Sequence, residues 1–214
     1  MLPVLKTKLF IPTPREDAVQ RARLAAVLDR GFTRPLTLVS APAGFGKTTL
    51  VSGWVREAGV RAAWVSLDEG DNDPARFWLY LITAIQSFEP QAGQEAYSLM
   101  QSPQPQPLEV CLTLLLNEIA AFQERFVLIL DDYHVVENPE IHDGLQFLLD
   151  HLPAQMRLII ASRGDPPFAL ARMRARGQLT ELRIADLSFT LDETALLLNE
   201  KMGLGMSEEE IAAL

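Results

Sequence analysis

Four short runs are apolar at successive positions: Leu36-Thr37-Leu38-Val39, Ala62-Ala63-Trp64-Val65, Phe126-Val127-Leu128-Ile129-Leu130 and Leu158-Ile159-Ile160-Ala161. None alternates polar and apolar residues as a half-exposed strand would, so they predict strands buried on both faces of a parallel sheet. A fifth, more polar run, Glu181-Leu182-Arg183-Ile184, predicts an edge strand. Between the runs, apolar residues recur at helical spacing. Val51, Trp54, Val55 and Ala58 follow the first strand. Phe77, Leu81, Ile85 and Phe88 follow Asp73-Pro74, an N-cap and a proline at the first helical position. Leu108, Leu112, Leu115, Ile119 and Phe122 form another stripe, and Ile141, Leu145, Leu148 and Leu152 a further one, opened by Asn138-Pro139. Strands alternating with helices predict an α/β fold with a parallel sheet.

Ser102-Pro103-Gln104-Pro105-Gln106-Pro107 cannot continue a helix or a strand interior, because each proline removes a backbone donor. It reads as an extended surface connection between two helices. Toward the C-terminus, Thr190-Leu191-Asp192-Glu193 reads as a capping box for a helix running to about Met202, stopped by Gly203. Ser207-Glu208-Glu209-Glu210 reads as a second box. The chain ends four residues after Glu210, so the expectation is a piece of something longer.

Composition narrows the classes. The 214 residues are 48% hydrophobic and 22% charged, as in ordinary globular domains. With 19 basic against 28 acidic residues the formal charge is -9, which argues against nucleic-acid binding by this stretch itself. The single cysteine, Cys111, reads as a small core residue in Val110-Cys111-Leu112. Nothing resembles a signal peptide or a membrane span, so a cytoplasmic location is expected, with no membrane partner.

The strongest chemical signal is Ala41-Pro42-Ala43-Gly44-Phe45-Gly46-Lys47-Thr48-Thr49, between a buried strand and a helix. Small residues let a backbone wrap a polyphosphate with its N–H groups inward, and the following helix N-terminus favours anions. Ala43, Gly44, Phe45, Gly46, Lys47, Thr48 and Thr49 are therefore expected to bind nucleotide. Lys47 would reach the β- and γ-phosphates and Thr48 would ligate Mg²⁺. Ala41 stands where the pattern has its first glycine. The third long strand ends in Asp131-Asp132. Asp131 is expected to hold Mg²⁺, and Asp132 to orient or deprotonate the attacking water. The fourth ends in Ser162-Arg163, where a guanidinium fork could meet the γ-phosphate.

Other polar groups read as structural. Arg172, Arg174 and Arg176 form a solvated helix face, and Asp68, Glu69, Asp71 and Asp73 serve turns and caps rather than a calcium loop. His134 follows the Asp131-Asp132 pair in a supporting or structural role, and the three histidines have no zinc spacing.

These motifs carry a resemblance. Ser40-Ala41-Pro42-Ala43-Gly44-Phe45-Gly46-Lys47-Thr48-Thr49, Trp64-Val65-Ser66-Leu67-Asp68, Asp131-Asp132-Tyr133-His134 and Ala161-Ser162-Arg163 are similar to the N-terminal ATPase domain of large LuxR-type, MalT-like transcriptional activators. Those activators belong to the signal-transduction ATPases with numerous domains. The likeness runs from Thr7-Lys8-Leu9 and Pro12 to Leu187-Ser188-Phe189-Thr190, and Ala41 fits the family. It implies a P-loop fold of the additional-strand type, with sheet order 5-1-4-3-2. It implies an N-terminal arm and helix over 1–30, an ATPase core over 31–186 and the start of a following helical region over 187–214. It also implies ATP or ADP with Mg²⁺ as ligands, Val19 and Arg21 near adenine and ribose, and a slow regulatory hydrolysis. Self-association would belong to the ATP form of the full-length protein, and DNA binding to C-terminal domains outside this chain. ATP rather than GTP is expected by the same analogy, since no Asn-Lys-x-Asp motif occurs. Two rivals use the same loop: a nucleotide-occupancy interaction module without turnover, and a small-molecule kinase with Arg172 to Arg176 in its lid.

Overall fold

The computed structural model describes residues 4–14, 18–102, 104 and 106–213. After a short 3-10 turn, Lys6–Leu9, the chain runs through α1 (Ala22–Gly31), β1 (Leu36–Ser40), α2 (Lys47–Ala58), β2 (Ala62–Ser66), α3 (Pro74–Ile85), α4 (Gln94–Met100) and α5 (Leu108–Ala120). Then come β3 (Phe126–Asp131), α6 (Pro139–Asp150), β4 (Met156–Ser162), α7 (Leu170–Ala175), β5 (Leu179–Leu182), α8 (Ile184–Leu187), α9 (Leu191–Ala195) and α10 (Glu208–Ala212). The strands form one parallel sheet in the order β2-β3-β4-β1-β5, which is the expected order read from the other edge.

The strand runs are uniformly apolar because both faces are covered. Phe126, Leu128 and Leu130 of β3 point into one core with Trp78, Leu115, Ile119, Ile141 and Leu145 from α3, α5 and α6. Val127 and Ile129 point into a second core with Leu24, Leu28, Val51 and Trp54 from α1 and α2. Each such side chain, fully withdrawn from water, contributes about 1.5–3 kcal/mol. Cys111 is fully buried in the first core.

Helix starts follow the caps read from sequence. The Asp73 carboxylate accepts from the Arg76 N–H at 2.8 Å, and Asn138 Oδ1 accepts from the Glu140 N–H at 2.9 Å. Phe88, Phe122 and Leu152 continue the apolar stripes but lie just past the helix ends. Pro103 and Pro105 of the proline-rich connection lie outside the described residues; Ser102, Gln104 and Gln106 belong to no helix or strand.

Two expectations need correction. The edge strand spans Leu179–Leu182 rather than Glu181 to Ile184. Its pairing begins at Leu36 opposite Leu179, and Asp186 accepts the Arg183 N–H at 2.8 Å, turning the chain into α8. The helix expected from Thr190 to Met202 is α only to Ala195, then widens into a π-helical run, Leu196–Lys201. There Asn199 accepts from the Met206 N–H at 2.7 Å and donates to the Met206 carbonyl at 2.9 Å, drawing the following chain back onto the helix. Both capping boxes form as read, at Thr190 and Ser207. Among the described residues no helix is long and apolar enough to cross a membrane.

Candidate functional site

All strands point the same way, so one sheet edge gathers the residues that follow β1, β2, β3 and β4. Ser40 pairs in register with Ser162, and Ser66 with Asp131. The loop from Ala41 to Gly46 leaves this edge and enters α2. Gly44 and Gly46 have φ of +88° and +73°, left-handed conformations that glycine adopts without a Cβ penalty. Ala41 does not need to be glycine: its φ is not positive, and its methyl is buried beside Val39 and Val51. No side chain caps the start of α2 at Gly46, which leaves its first N–H groups for an anion.

Lys47 is buried and donates from Nζ to the carbonyls of Ala41 at 2.8 Å and Pro42 at 3.0 Å. Burial lowers its pKa, partly offset by the nearby Asp132 and Asp131 carboxylates. Thr48 Oγ1 donates to Asp131 Oδ1 at 3.1 Å across 83 residues of sequence. Asp131 is 3% exposed, and burial pushes its carboxyl up to about 6 despite the bond from Thr48. A hydroxyl and a buried carboxylate are hard oxygen donors of the kind Mg²⁺ takes, and a dication there would relieve the cost of ionising Asp131. Among the described residues no three His, Cys, Asp or Glu side chains cluster as a metal cage.

Asp132 donates its N–H to Asp131 Oδ1 at 3.1 Å and sits in the left-handed region, φ +57°. Among the described residues it is the one non-glycine there, a conformation that aspartate tolerates. Its half-exposed carboxylate lies 3.7 Å from His134 Nδ1. Asp132, His134 and the exposed Arg163 line a cavity of about 410 Å³ together with Asp68 and Glu69. Burial, and then Arg163, lower the His134 pKa, so its ring is neutral at physiological pH.

On the other side of the loop lies a larger cavity of about 860 Å³. Its walls include Ala43, Gly44, Phe45, Gly46 and Thr49 from the loop and helix start, and Val19 and Arg21 from the arm. The sequence-selected residues therefore fall at two adjoining places: Lys47, Thr48, Asp131, Asp132 and Arg163 at the sheet edge, the others around the cavity. Sequence reasoning missed, among other lining residues, the stretch of wall made by Leu187, Ser188, Phe189 and Leu197. The Arg21 guanidinium stacks over the Phe189 ring at 4.8 Å. The only available signal was Leu187-Ser188-Phe189-Thr190, which marked where the family likeness ended without suggesting a role.

The basic cluster is a paired surface. Arg172 Nη2 contacts both Asp150 oxygens at 2.5 and 2.8 Å, and Arg174 forks onto Glu181 at 2.8 and 2.9 Å. Arg174, and with it Arg183, outweighs burial and holds Glu181 down at about 2. Asp68 and Asp73 serve as caps, and Asp71 completes the Asp68 box by accepting its N–H at 2.9 Å while completely buried in an ion pair with Lys8.

The chain is 40% identical over 191 residues to the HTH-type transcriptional regulator MalT of Klebsiella pneumoniae, and 39% identical over 190 residues to that of Cronobacter sakazakii. Each match covers 89% of this chain and 21% of the relative, so the chain spans about a fifth of the length of these curated relatives. No family model matches the chain. The crystal structure of Cdc6p from Pyrobaculum aerophilum superposes with a TM-score of 0.57 at 16% identity, covering 97% of this chain and 57% of that one. The chain has the P-loop ATPase fold and is a homologue of part of MalT-like regulators, in agreement with the resemblance carried by its motifs.

Proposed function

We propose that this chain is an ATP-binding, slowly hydrolysing switch domain of a signal-responsive LuxR-type transcriptional activator. The observation that carries the reading is the meeting of Thr48 and Asp131 at 3.1 Å beside the buried Lys47, at the mouth of the loop. The loop N–H groups and the α2 N-terminus would hold the β-phosphate. Lys47 would leave the Ala41 and Pro42 carbonyls for the β- and γ-phosphates, and Arg163 would meet the γ-phosphate from the sheet edge. Thr48 and Asp131 would hold Mg²⁺, which when bound neutralises charge on the phosphate oxygens. Asp132 would orient a water for attack, and Val19 and Arg21 would face the adenosine. The larger cavity lies within the size range of nucleotide-sized ligand sites.

In the full-length protein the ATP form would self-associate, and DNA would be bound by C-terminal domains, in the cytoplasm. Slow turnover suits a switch, since the bound state must outlast the signal. The kinase alternative loses support, because Arg172 and Arg174 are engaged with Asp150 and Glu181. The occupancy module keeps one supporting observation: the Asp132 carboxylate is half-exposed and lies 3.7 Å from His134 Nδ1, beyond hydrogen-bond distance.

The test is ATP and ADP binding and Mg²⁺-dependent phosphate release, with wild type beside Lys47→Ala and Asp132→Asn. Binding lost in the first variant supports the loop assignment. Binding by wild type without measurable turnover would favour the occupancy module, and turnover unchanged in the second variant would remove Asp132 from the water-orienting role.

A further inference from the structure

We propose that Glu193 is a positioning residue for nucleotide retention, the hub of a latch that fastens segment 187–197 to the N-terminal arm across the base-side cavity. The inference rests on the nucleotide reading above. Glu193 Oε1 accepts from Arg23 Nε at 2.9 Å. Its Oε2 accepts from Arg23 Nη2 at 3.0 Å, from Arg21 Nε at 3.3 Å and from the Thr190 N–H at 3.1 Å. The two guanidinium groups also reach the Ser188 carbonyl, at 2.9 and 2.8 Å, and Arg23 donates to the Asp186 carbonyl at 2.7 Å. Arg21 at the end of the arm and Arg23 in the first turn of α1 thus direct their donors to one short stretch about 165 residues away.

The latch matters because the stretch enters the sheet cores only at Leu187; its other support is α10, which packs on α9 through the buried Ile211. No residue from Leu191 to Lys201 is buried. Leu187 is anchored in the second core, but Phe189 is 46% exposed and rests under Arg21. Leu187, Phe189 and Leu197 nevertheless form one wall of the cavity whose opposite wall is Val19 and Arg21. Core packing fixes this wall at Leu187, and beyond it the ion pairs and the Arg21–Phe189 stack tie the wall to the arm. The Glu193 side chain is 11% exposed, so its pairs are sheltered from solvent, while Arg23 at 37% leaves water an entry. Burial raises the Glu193 pKa, but the bonds from Arg23, Thr190 and Arg21 outweigh it and keep the group ionised. By linkage, a nucleotide that fills the cavity and stabilises the closed wall also tightens the latch.

Glutamine at 193 breaks the latch with little change of shape: it removes the charge and one of the two acceptor oxygens, while the other can still accept the Thr190 N–H of the capping box. The experiment follows radiolabelled ADP released into excess unlabelled ADP from wild type, Glu193→Gln and Arg23→Gln. It also measures inorganic tripolyphosphate affinity and the tryptic cleavage rate at the exposed Lys201 in nucleotide-free protein. Expected are ADP release faster by about three- to tenfold in both variants and faster cleavage, with tripolyphosphate affinity unchanged. Unchanged release in both variants overturns the latch. A loss of tripolyphosphate affinity matching that for ADP also overturns it, since the defect would then lie in the loop. If wild type binds tripolyphosphate and nucleotide but cleavage at Lys201 does not respond, the segment is held by something else and the proposal falls. If wild type binds neither ligand, the nucleotide reading fails and the retention role with it, whatever cleavage reports.

Discussion

On the nucleotide reading proposed above, the phosphate side, at the sheet edge, and the base side, at the larger cavity, are built by different means. On the phosphate side, Lys47, Thr48 and Asp131 sit at the ends of elements locked into two apolar cores. Their positions follow from strand register, which a one-residue slip would invert. On the base side, α2 supplies a core-held wall through Leu50, Gly53 and Trp54, and the rest comes from an arm before β1 and a segment after β5, joined by Arg21, Arg23 and Glu193. The first arrangement is stiff and costs whole-domain stability to disturb. The second can open at the price of a few ion pairs. On the proposed reading, a domain that would grip phosphate firmly and close over the base more loosely would have the parts of a switch.

The largest break in this comparison is Lys47→Ala. It removes a buried cation and its charge-assisted bonds to phosphate, so triphosphate and nucleotide affinity should both fall by about a hundredfold or more in isothermal titration. Equal losses for ATP and inorganic tripolyphosphate would place the effect on the phosphate side alone.

Asp131→Asn should separate Mg²⁺ from the fold. Burial raises the Asp131 pKa to about 6, so its favourable contribution to stability holds at pH below about 3.8 and is lost as pH rises through about 6. At neutral pH the wild-type chain bears an ionised carboxylate against burial. The neutral, similar-sized asparagine should raise nucleotide-free stability by about 1–3 kcal/mol, a few degrees in a thermal melt. The same variant should lose about ten- to a hundredfold of its Mg²⁺-dependent ATP affinity. A variant that melts lower without nucleotide would overturn this account of Asp131.

Phe189→Ala belongs to the other side and should act more gently. Losing the ring under Arg21 removes stacking worth about 1 kcal/mol, so ADP affinity should fall roughly fivefold. Tripolyphosphate binding should not change. A fall in both would mean that segment 187–197 supports the loop as well as the base wall.

The same division governs how much could be read from sequence. The four buried strands, the caps at Asp73 and Asn138, and the loop from Ala41 to Thr49 are local patterns with local causes. Each needs only its own residues and a sheet on which to lie. Sheet order is not local; it came from likeness to a family and not from periodicity. The Phe189 wall and Glu193 stayed hidden because their neighbours are over 160 residues away. Glu193 looked complete as the fourth residue of a capping box, and that local role concealed its partners. The edge strand slid by two residues because Leu179-Thr180 is too short a run to outweigh the apolar Leu182 and Ile184. The π-helical stretch depends on Asn199 and Met206 meeting, which no spacing rule encodes.

The smallest effect on nucleotide is expected from Lys8→Met, and it asks whether the arm acts as one body. Lys8 is buried, pairs with Asp71 and with Asp68 at 3.0 Å, and lies over the Tyr80 ring at 4.6 Å. Asp71 is wholly buried and would retain only Arg76, at 3.1 Å, and the Asp68 N–H, at 2.9 Å. Stranding part of a buried carboxylate's compensation should cost about 3 kcal/mol, a drop of roughly 6–12 °C in melting temperature. Lys8 lies on the face of the sheet that holds Phe77 and Tyr80, whereas Val19 and Arg21 line the cavity beside α2. ADP affinity of the folded variant should therefore stay within about twofold of wild type, well under the tenfold that 1.4 kcal/mol would bring. If affinity falls together with stability, the Lys8 pair and the Glu193 latch hold the arm jointly, and the base side is as firmly tied to the core as the phosphate side.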